Sequence, residues 1–121
     1  MVGALFDTNI LIDHLNAVPE AREEIARFED RAISIITWME VMVGAGDDLV
    51  EPTRRFLDGF KVVALDDEIA GRAVELRRAH RIKLPDAVIW ATAQTAGRLL
   101  VTRNTKDFPP DDPGVREPYR L

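Results

Sequence analysis

The sequence predicts a single α/β domain whose core is a mostly parallel sheet of four to five strands flanked by helices. Three observations carry this. Short apolar runs at residues 3–6, 32–36, 61–65 and 99–102 are continuous rather than alternating, as strands covered on both faces require. Longer stretches with helical periodicity separate them, so the order is β-α-α-β-α-α-β-α-α-β, the pattern of parallel strands joined by helical crossovers. A chain of 121 residues, 46% of them hydrophobic and 31% charged, is long enough for one core and too short for two.

Each element has a local reason. Residues 3–6 form an apolar strand ending at Asp7. Residues 9–15 carry apolar side chains at 10, 11, 12 and 15, a short helix. Pro19 suits a first helical turn, and 20–30 continue it with acids early. The β-branched run 32–36 reads as a buried strand. Thr37 and Glu40 have the spacing of a capping box for a helix reaching 44–46. A helix over 49–60 has Pro52 in its first turn, and 61–65 is a third strand. A long helix over 66–81 starts with three acids and ends with basic residues, matching the helix dipole. Leu84-Pro85-Asp86 opens a helix to about residue 97, and 99–102 is the fourth strand. The tail 108–121 holds four of the seven prolines and reads as a loop with an edge strand near Val115.

Composition removes several kinds of chemistry. Without cysteine there is no disulfide framework, thiolate nucleophile or cysteine-based metal site. Two histidines, His14 and His80, are too few for a typical catalytic zinc site and read as surface residues. No apolar run approaches the ~20 residues of a membrane span, and Asp7 and Asp13 break any leader-like segment, so a cytoplasmic protein is expected. The net charge of −5 argues against nucleic-acid binding by bulk charge alone.

Four acids stand where an apolar residue or a turn would be ordinary. Asp7 follows a buried strand and opens Asp7-Thr8-Asn9. Glu40 interrupts Trp38, Met39, Val41, Met42 and Val43. Asp86 begins a helix that is nearly all apolar over 87–93, and Asp107 closes the segment after the fourth strand. Singly, each has an ordinary reading as a cap, a first-turn acid or a turn residue. Together they fall on one edge of the predicted sheet, beyond the carboxyl ends of its strands, where α/β sheets place their sites. Clustered carboxylates repel unless a cation relieves them, and oxygen ligands suit Mg²⁺ or Mn²⁺, as one or two ions. Such an ion can polarise a phosphodiester and activate water, so no Ser or Cys nucleophile is needed. Setting these four acids aside leaves 17 acids against 16 Lys+Arg, so the negative charge is partly concentrated in the proposed cation site.

Four segments in series carry a family resemblance: residues 5–13, 33–41, 84–93 and 100–108. With Asp7-Thr8-Asn9, Glu40, Leu84-Pro85-Asp86 and Thr102-Arg103-Asn104-Thr105-Lys106-Asp107 in that order, the chain resembles PIN-domain ribonucleases, specifically the VapC-type toxins of toxin–antitoxin pairs. The resemblance implies an endoribonuclease with Asp7, Glu40, Asp86 and Asp107 as catalytic metal ligands. It implies supporting roles for Thr8 and Asn9, and Thr102 is placed to do the same from the fourth strand. Many relatives have an acid where this chain has Asn104, so either Asp107 supplies the fourth charge or Asn104 holds a water of the metal's shell. The resemblance further implies a homodimer and a cognate antitoxin. For RNA contact, Arg103 is the first candidate. Arg77, Arg78 and Arg81 follow, in a stretch from 72 to 83 with five basic residues and one acid.

Two other functions compete. A phospho-acceptor receiver domain fits the length and the Asp after the first strand, with Asp66 or Asp67 as acceptor and Lys106 as the late lysine. It leaves Glu40 and Asp86 unexplained. A catalytically weak module of the same fold, binding RNA or protein, is compatible with Asn104.

Overall fold

A computed structural model of the chain describes residues 2–121. Its elements are β1 (Ala4–Phe6), α1 (Thr8–Leu15), α2 (Pro19–Ala26), β2 (Arg31–Ser34), α3 (Ile35–Gly44), α4 (Val50–Leu57), β3 (Lys61–Val63), α5 (Asp67–His80), α6 (Leu84–Thr95), β4 (Leu99–Val101) and β5 (Val115–Arg116). A 3₁₀ turn at Asp47–Leu49 precedes α4. The five strands form one sheet in the order β3-β2-β1-β4-β5 with every pairing parallel.

The pleat divides the apolar residues into two cores, because alternate side chains point to opposite faces. Ala4, Phe6, Ile33 and Val101 face one side, where Ile10 and Leu11 of α1, Ile25 of α2, Val41 of α3 and Leu57 of α4 cover them. Leu5, Ala32 and Leu100 face the other side against α5 and α6, with Ile69, Leu76, Ile89, Trp90 and Phe108. The central strands β1, β2 and β4 are therefore buried on both faces, which explains their apolar sequence, whereas β3 at the sheet edge is largely exposed. The chain builds the sheet outward from β1 through β2 to β3, then returns to lay β4 on the other side of β1. The strand order thus reverses between β1 and β4, and a crevice opens beyond their carboxyl ends.

The element order matches the sequence prediction, with differences at boundaries. The run 32–36 is not a strand throughout: α3 begins at Ile35 because Ser34, in extended backbone, accepts a hydrogen bond from the Ile36 N–H at 3.1 Å. A local side-chain cap overrides the β-preference of two isoleucines. The Thr37–Glu40 capping box is consequently absent. Thr37 lies inside α3, fully buried, and Glu40 turns to a different partner. The predicted helix over 49–60 is shorter, at Val50–Leu57, and α2 stops at Ala26 rather than near 30. The edge strand near 115 is present and only two residues long.

His14 also differs from expectation. It is half-buried and stacks on Phe56 with ring centroids 4.6 Å apart, and its Nδ1 has no partner among the described residues. Burial lowers its pKa, and the nearby Arg22 adds to that. His80 is exposed and lies beside Trp90.

Two residues other than glycine adopt left-handed backbone: Ala17 (φ 62°) between α1 and α2, and Arg81 (φ 56°) at the C-cap of α5. A Cβ is disfavoured there, and glycine is not. Ala17→Gly is expected to raise stability by about 1 kcal/mol, read as an increased melting temperature.

Candidate active site

The crevice at the strand reversal is lined by Asp7, Thr8, Asn9, Ile12, Asp13, Glu40, Asp86, Arg103 and Asn104, around a cavity of about 350 Å³. They come from four parts of the scaffold: the β1–α1 junction with α1, then α3, α6 and the segment after β4. Asp7 is the residue between β1 and α1, and its backbone N–H still donates to the Val101 carbonyl of β4 at 2.9 Å. Glu40 sits in α3, Asp86 in the first turn of α6, and Arg103 and Asn104 just beyond β4.

Asp7 is the most constrained. One oxygen accepts from the Thr8 N–H at 2.7 Å, so the residue is at once the N-cap of α1 and part of the crevice. The other accepts from the Thr102 hydroxyl at 2.7 Å and the Asn9 amide at 3.2 Å. Thr102 is fully buried, and its hydroxyl oxygen in turn accepts from the Asn104 N–H at 2.9 Å. Asn9 uses its own carbonyl to accept from the Arg103 N–H at 3.2 Å. Both supporting side chains therefore tie β4 to the β1–α1 junction.

Glu40 is exposed and accepts a hydrogen bond from the Thr8 hydroxyl at 2.7 Å. Thr37 stands 3.0 Å from that same hydroxyl. Asn104 and Asp107 are paired with each other. The Asn104 amide donates to Asp107 at 2.9 Å, and the Asp107 N–H donates back to the Asn104 side chain at 3.2 Å. Asn104 reaches the crevice and also orients Asp107.

The electrostatics show that these acids act on one another. Burial pushes the Asp7 carboxyl up to about 6, against hydrogen bonds from Thr102 and Thr8; the charges of Asp86 and Glu40 push in the same direction. Burial also raises the Asp86 pKa, as do Asp107 and Glu40, while Lys83 opposes them. An isolated cluster of this kind resists full ionisation.

This donor set is all oxygen and negatively charged, which fits a hard divalent cation. Among the described residues, no three acids are drawn close enough to enclose an ion by themselves. Mg²⁺ needs no such cage, because it is ordinarily held by one or two carboxylates and keeps several waters. Asp7 and Asp86 are the two acids whose charge is most penalised as they stand. They are the residues that would gain most from a cation.

The predicted basic residues divide. Arg103 lines the crevice, but its guanidinium does not hang free. Its Nε and Nη2 donate to the two oxygens of Asp13 at 2.5 and 2.9 Å. Arg77 and Arg78 lie in the last turn of α5 and Arg81 is its C-cap, shortly before α6, and all three are outside the crevice lining. Arg77 closes the α5–α6 turn by donating to the Ile82 carbonyl at 2.7 Å, so its guanidinium is already engaged. Arg78 and Arg81 are exposed. Two participants were not singled out from sequence: Asp13 on α1, and Tyr119 in the tail, whose hydroxyl donates to Asp13 at 2.7 Å. Asp13 stands four residues after Asn9, one helical turn on and on the same side of α1, which was the available signal. Nothing local marked Tyr119.

An oxygen-rich acidic crevice at the strand reversal of a parallel sheet places the chain among the α/β folds whose sites lie beyond the strand carboxyl ends, and family comparison specifies which. The PIN domain family model matches residues 4–109, and the chain belongs to that family. No curated protein sequence matches significantly. Solved structures do. The chain is similar to a protein in a toxin–antitoxin complex from Klebsiella pneumoniae, with 48% identity and a TM-score of 0.94, covering 98% of this chain and all of that one. It is similar to a chain of FitAB bound to an IR36 DNA fragment, with 25% identity and a TM-score of 0.83 over 98% and 96% of the two chains. It also resembles a chain of DNA-bound VapBC from Salmonella typhimurium, with 26% identity and a TM-score of 0.76 over 96% of each. Among the described residues, no helix is long and apolar enough to cross a membrane.

Proposed function

We propose that this chain is a Mg²⁺- or Mn²⁺-dependent endoribonuclease, the toxin of a toxin–antitoxin pair, working in the cytoplasm. The observation that carries this is the meeting of Asp7, Glu40 and Asp86 in one crevice of a PIN domain. The similar chain from a toxin–antitoxin complex, at 48% identity over nearly the whole length, supports the biological setting.

Asp7 and Asp86 would hold the cation, with Glu40 and Asp107 reaching it directly or through water. When bound, a divalent ion supplies Lewis-acid polarisation of a phosphodiester and a nucleophilic water at neutral pH. The protein's own share is preparation. Thr8, Asn9 and Thr102 together occupy Asp7 with donors on both oxygens, which fixes its direction and leaves it an acceptor. Thr8 fixes Glu40 in the same way through one oxygen. Asn104 aligns Asp107. Arg78 and Arg81, exposed beside the start of α6, would meet the RNA backbone at a distance from the cut.

The partner would be a cognate antitoxin, whose basic side chain can enter the acidic crevice and neutralise it. A homodimer would cover apolar side chains left exposed on α3, where Met39 is 44% and Val43 85% accessible.

The test is cleavage of RNA by the purified chain with Mg²⁺, with EDTA, and after Asp7→Asn. Cleavage only in the first condition is expected. Activity that survives both EDTA and the substitution would overturn the mechanism, and tight RNA binding without cleavage in saturating metal would favour the catalytically weak module.

A further inference from the structure

We propose that Asp13 and Tyr119 are positioning residues that hold the Arg103 guanidinium at the wall of the crevice, as a fixed binding group for a phosphate of the RNA strand. The proposal rests on the ribonuclease reading and adds to it a part for the C-terminal tail.

The geometry is specific. Asp13 is buried, with 7% of its side chain accessible, whereas the Arg103 side chain keeps 29%. Both Asp13 oxygens are committed to one edge of the guanidinium, and one of them also receives the Tyr119 hydroxyl. A guanidinium has five N–H donors, and this pairing takes two. Nη1 has no hydrogen-bond partner among the described residues, in a group that lines the same crevice as Asp7, Glu40 and Asp86. The backbone is held as well: the Arg103 N–H donates to Asn9, which donates to Asp7. Arg103 is thus registered against the acid at the centre of the crevice.

Two physical consequences follow. A free arginine loses rotamer freedom when it grips a phosphate; one already clamped in a bidentate pair has lost it beforehand. Beside three carboxylates, a free guanidinium would also swing onto them and take the cation's place. Asp13 supplies a competing carboxylate that keeps it aside. Tyr119 sets the direction of Asp13, and its ring packs with the core that contains Phe6 and Ile10. Burial, followed by the hydrogen bond to Asp13, raises the Tyr119 pKa, so the phenol stays a donor.

The experiment measures RNA affinity against salt, together with KM and kcat, for the full chain with Mg²⁺. It compares the parent with Arg103→Gln, Arg103→Lys and Tyr119→Phe. Removing one phosphate contact from a single strand should reduce the slope of log affinity against log salt by about 0.7 in Arg103→Gln. Arg103→Lys keeps the charge but loses the fork, so KM should rise roughly tenfold with kcat little changed. Tyr119→Phe retains the ring and should raise KM by a factor of about 3. The proposal is overturned if these variants only lower the melting temperature and leave KM and the salt slope at parental values; Asp13–Arg103–Tyr119 is then purely structural. A parent that binds RNA without cutting it sinks the nuclease reading, and the salt slope still decides the role of Arg103. A parent that neither binds nor cuts overturns both.

Discussion

Asp7→Asn is expected to end metal-dependent cleavage, with a loss of about 10³-fold or more, while the metal-free protein remains folded. On the proposed mechanism the activity loss follows from removing one ligand of a cation whose contribution would be several kcal/mol. The stability argument runs through protonation. The folded-state pKa of Asp7 is raised from 3.8 to about 6, so the folded protein binds more protons than the unfolded chain between those values. Metal-free stability must therefore decrease as pH rises through this window, by about 3 kcal/mol from this group at the limit. Asp86 is shifted in the same direction and adds to it. In Asp7→Asn this dependence should be blunted. The gain at neutral pH is partly offset, because an amide cannot accept on both sides from Thr8, Thr102 and Asn9. Denaturant titrations in EDTA at pH 4.5 and pH 7 check the sign. Adding Mg²⁺ at pH 7 should stabilise the parent, by about 2.7 kcal/mol at a hundred times Kd, and leave the variant unmoved. A parent that becomes more stable from pH 4.5 to 7 without metal would contradict the argument.

Glu24→Ala should produce a clear loss of stability remote from the crevice, about 2 kcal/mol, or roughly 7 °C in melting temperature. Glu24 is a helix residue with only 3% of its side chain accessible, and it grips Arg116 of β5 at 2.6 and 3.0 Å. Arg27 approaches it at 3.3 Å. Removing the buried carboxylate leaves Arg116, whose side chain is 38% accessible, without its partner but within reach of water. The affected piece is β5, two residues long and paired only to β4. Its detachment would loosen the tail that carries Tyr119. Glu24→Gln, which keeps the shape and one acceptor, should lose less. Equal melting temperatures for parent and Glu24→Ala would show that the short edge strand is held by its backbone pairing alone.

What could be read from the sequence was whatever is local. The central strands β1, β2 and β4 announced themselves because burial on both faces makes them almost wholly apolar. Asp7 and Asp86 stood out because an acid at the end of such a run conflicts with its surroundings. The reading weakened where one short-range effect overrode another. Ile35 and Ile36 look like strand residues, and only the Ser34 hydroxyl makes them helix. That substitution of one cap for another also gave Glu40 a partner in Thr8 rather than Thr37 as a capping mate. Contacts between distant segments were illegible. No spacing links Asp13 with Arg103 and Tyr119, 90 and 106 positions away. The same applies to Glu24 and Arg116, 92 apart, because neither residue breaks the pattern of its own element.

The strand reversal between β1 and β4 also sets a timetable. Asp7 is made well before its partner, for the hydroxyl that aligns it belongs to a residue 95 positions later. The phenol that donates to Asp13 on the opposite wall comes 106 positions after it. While the chain is still being synthesised, Asp7 therefore has no finished crevice to serve. Chain order thus makes the crevice a late product of synthesis, completed only once β4 has emerged and paired with β1.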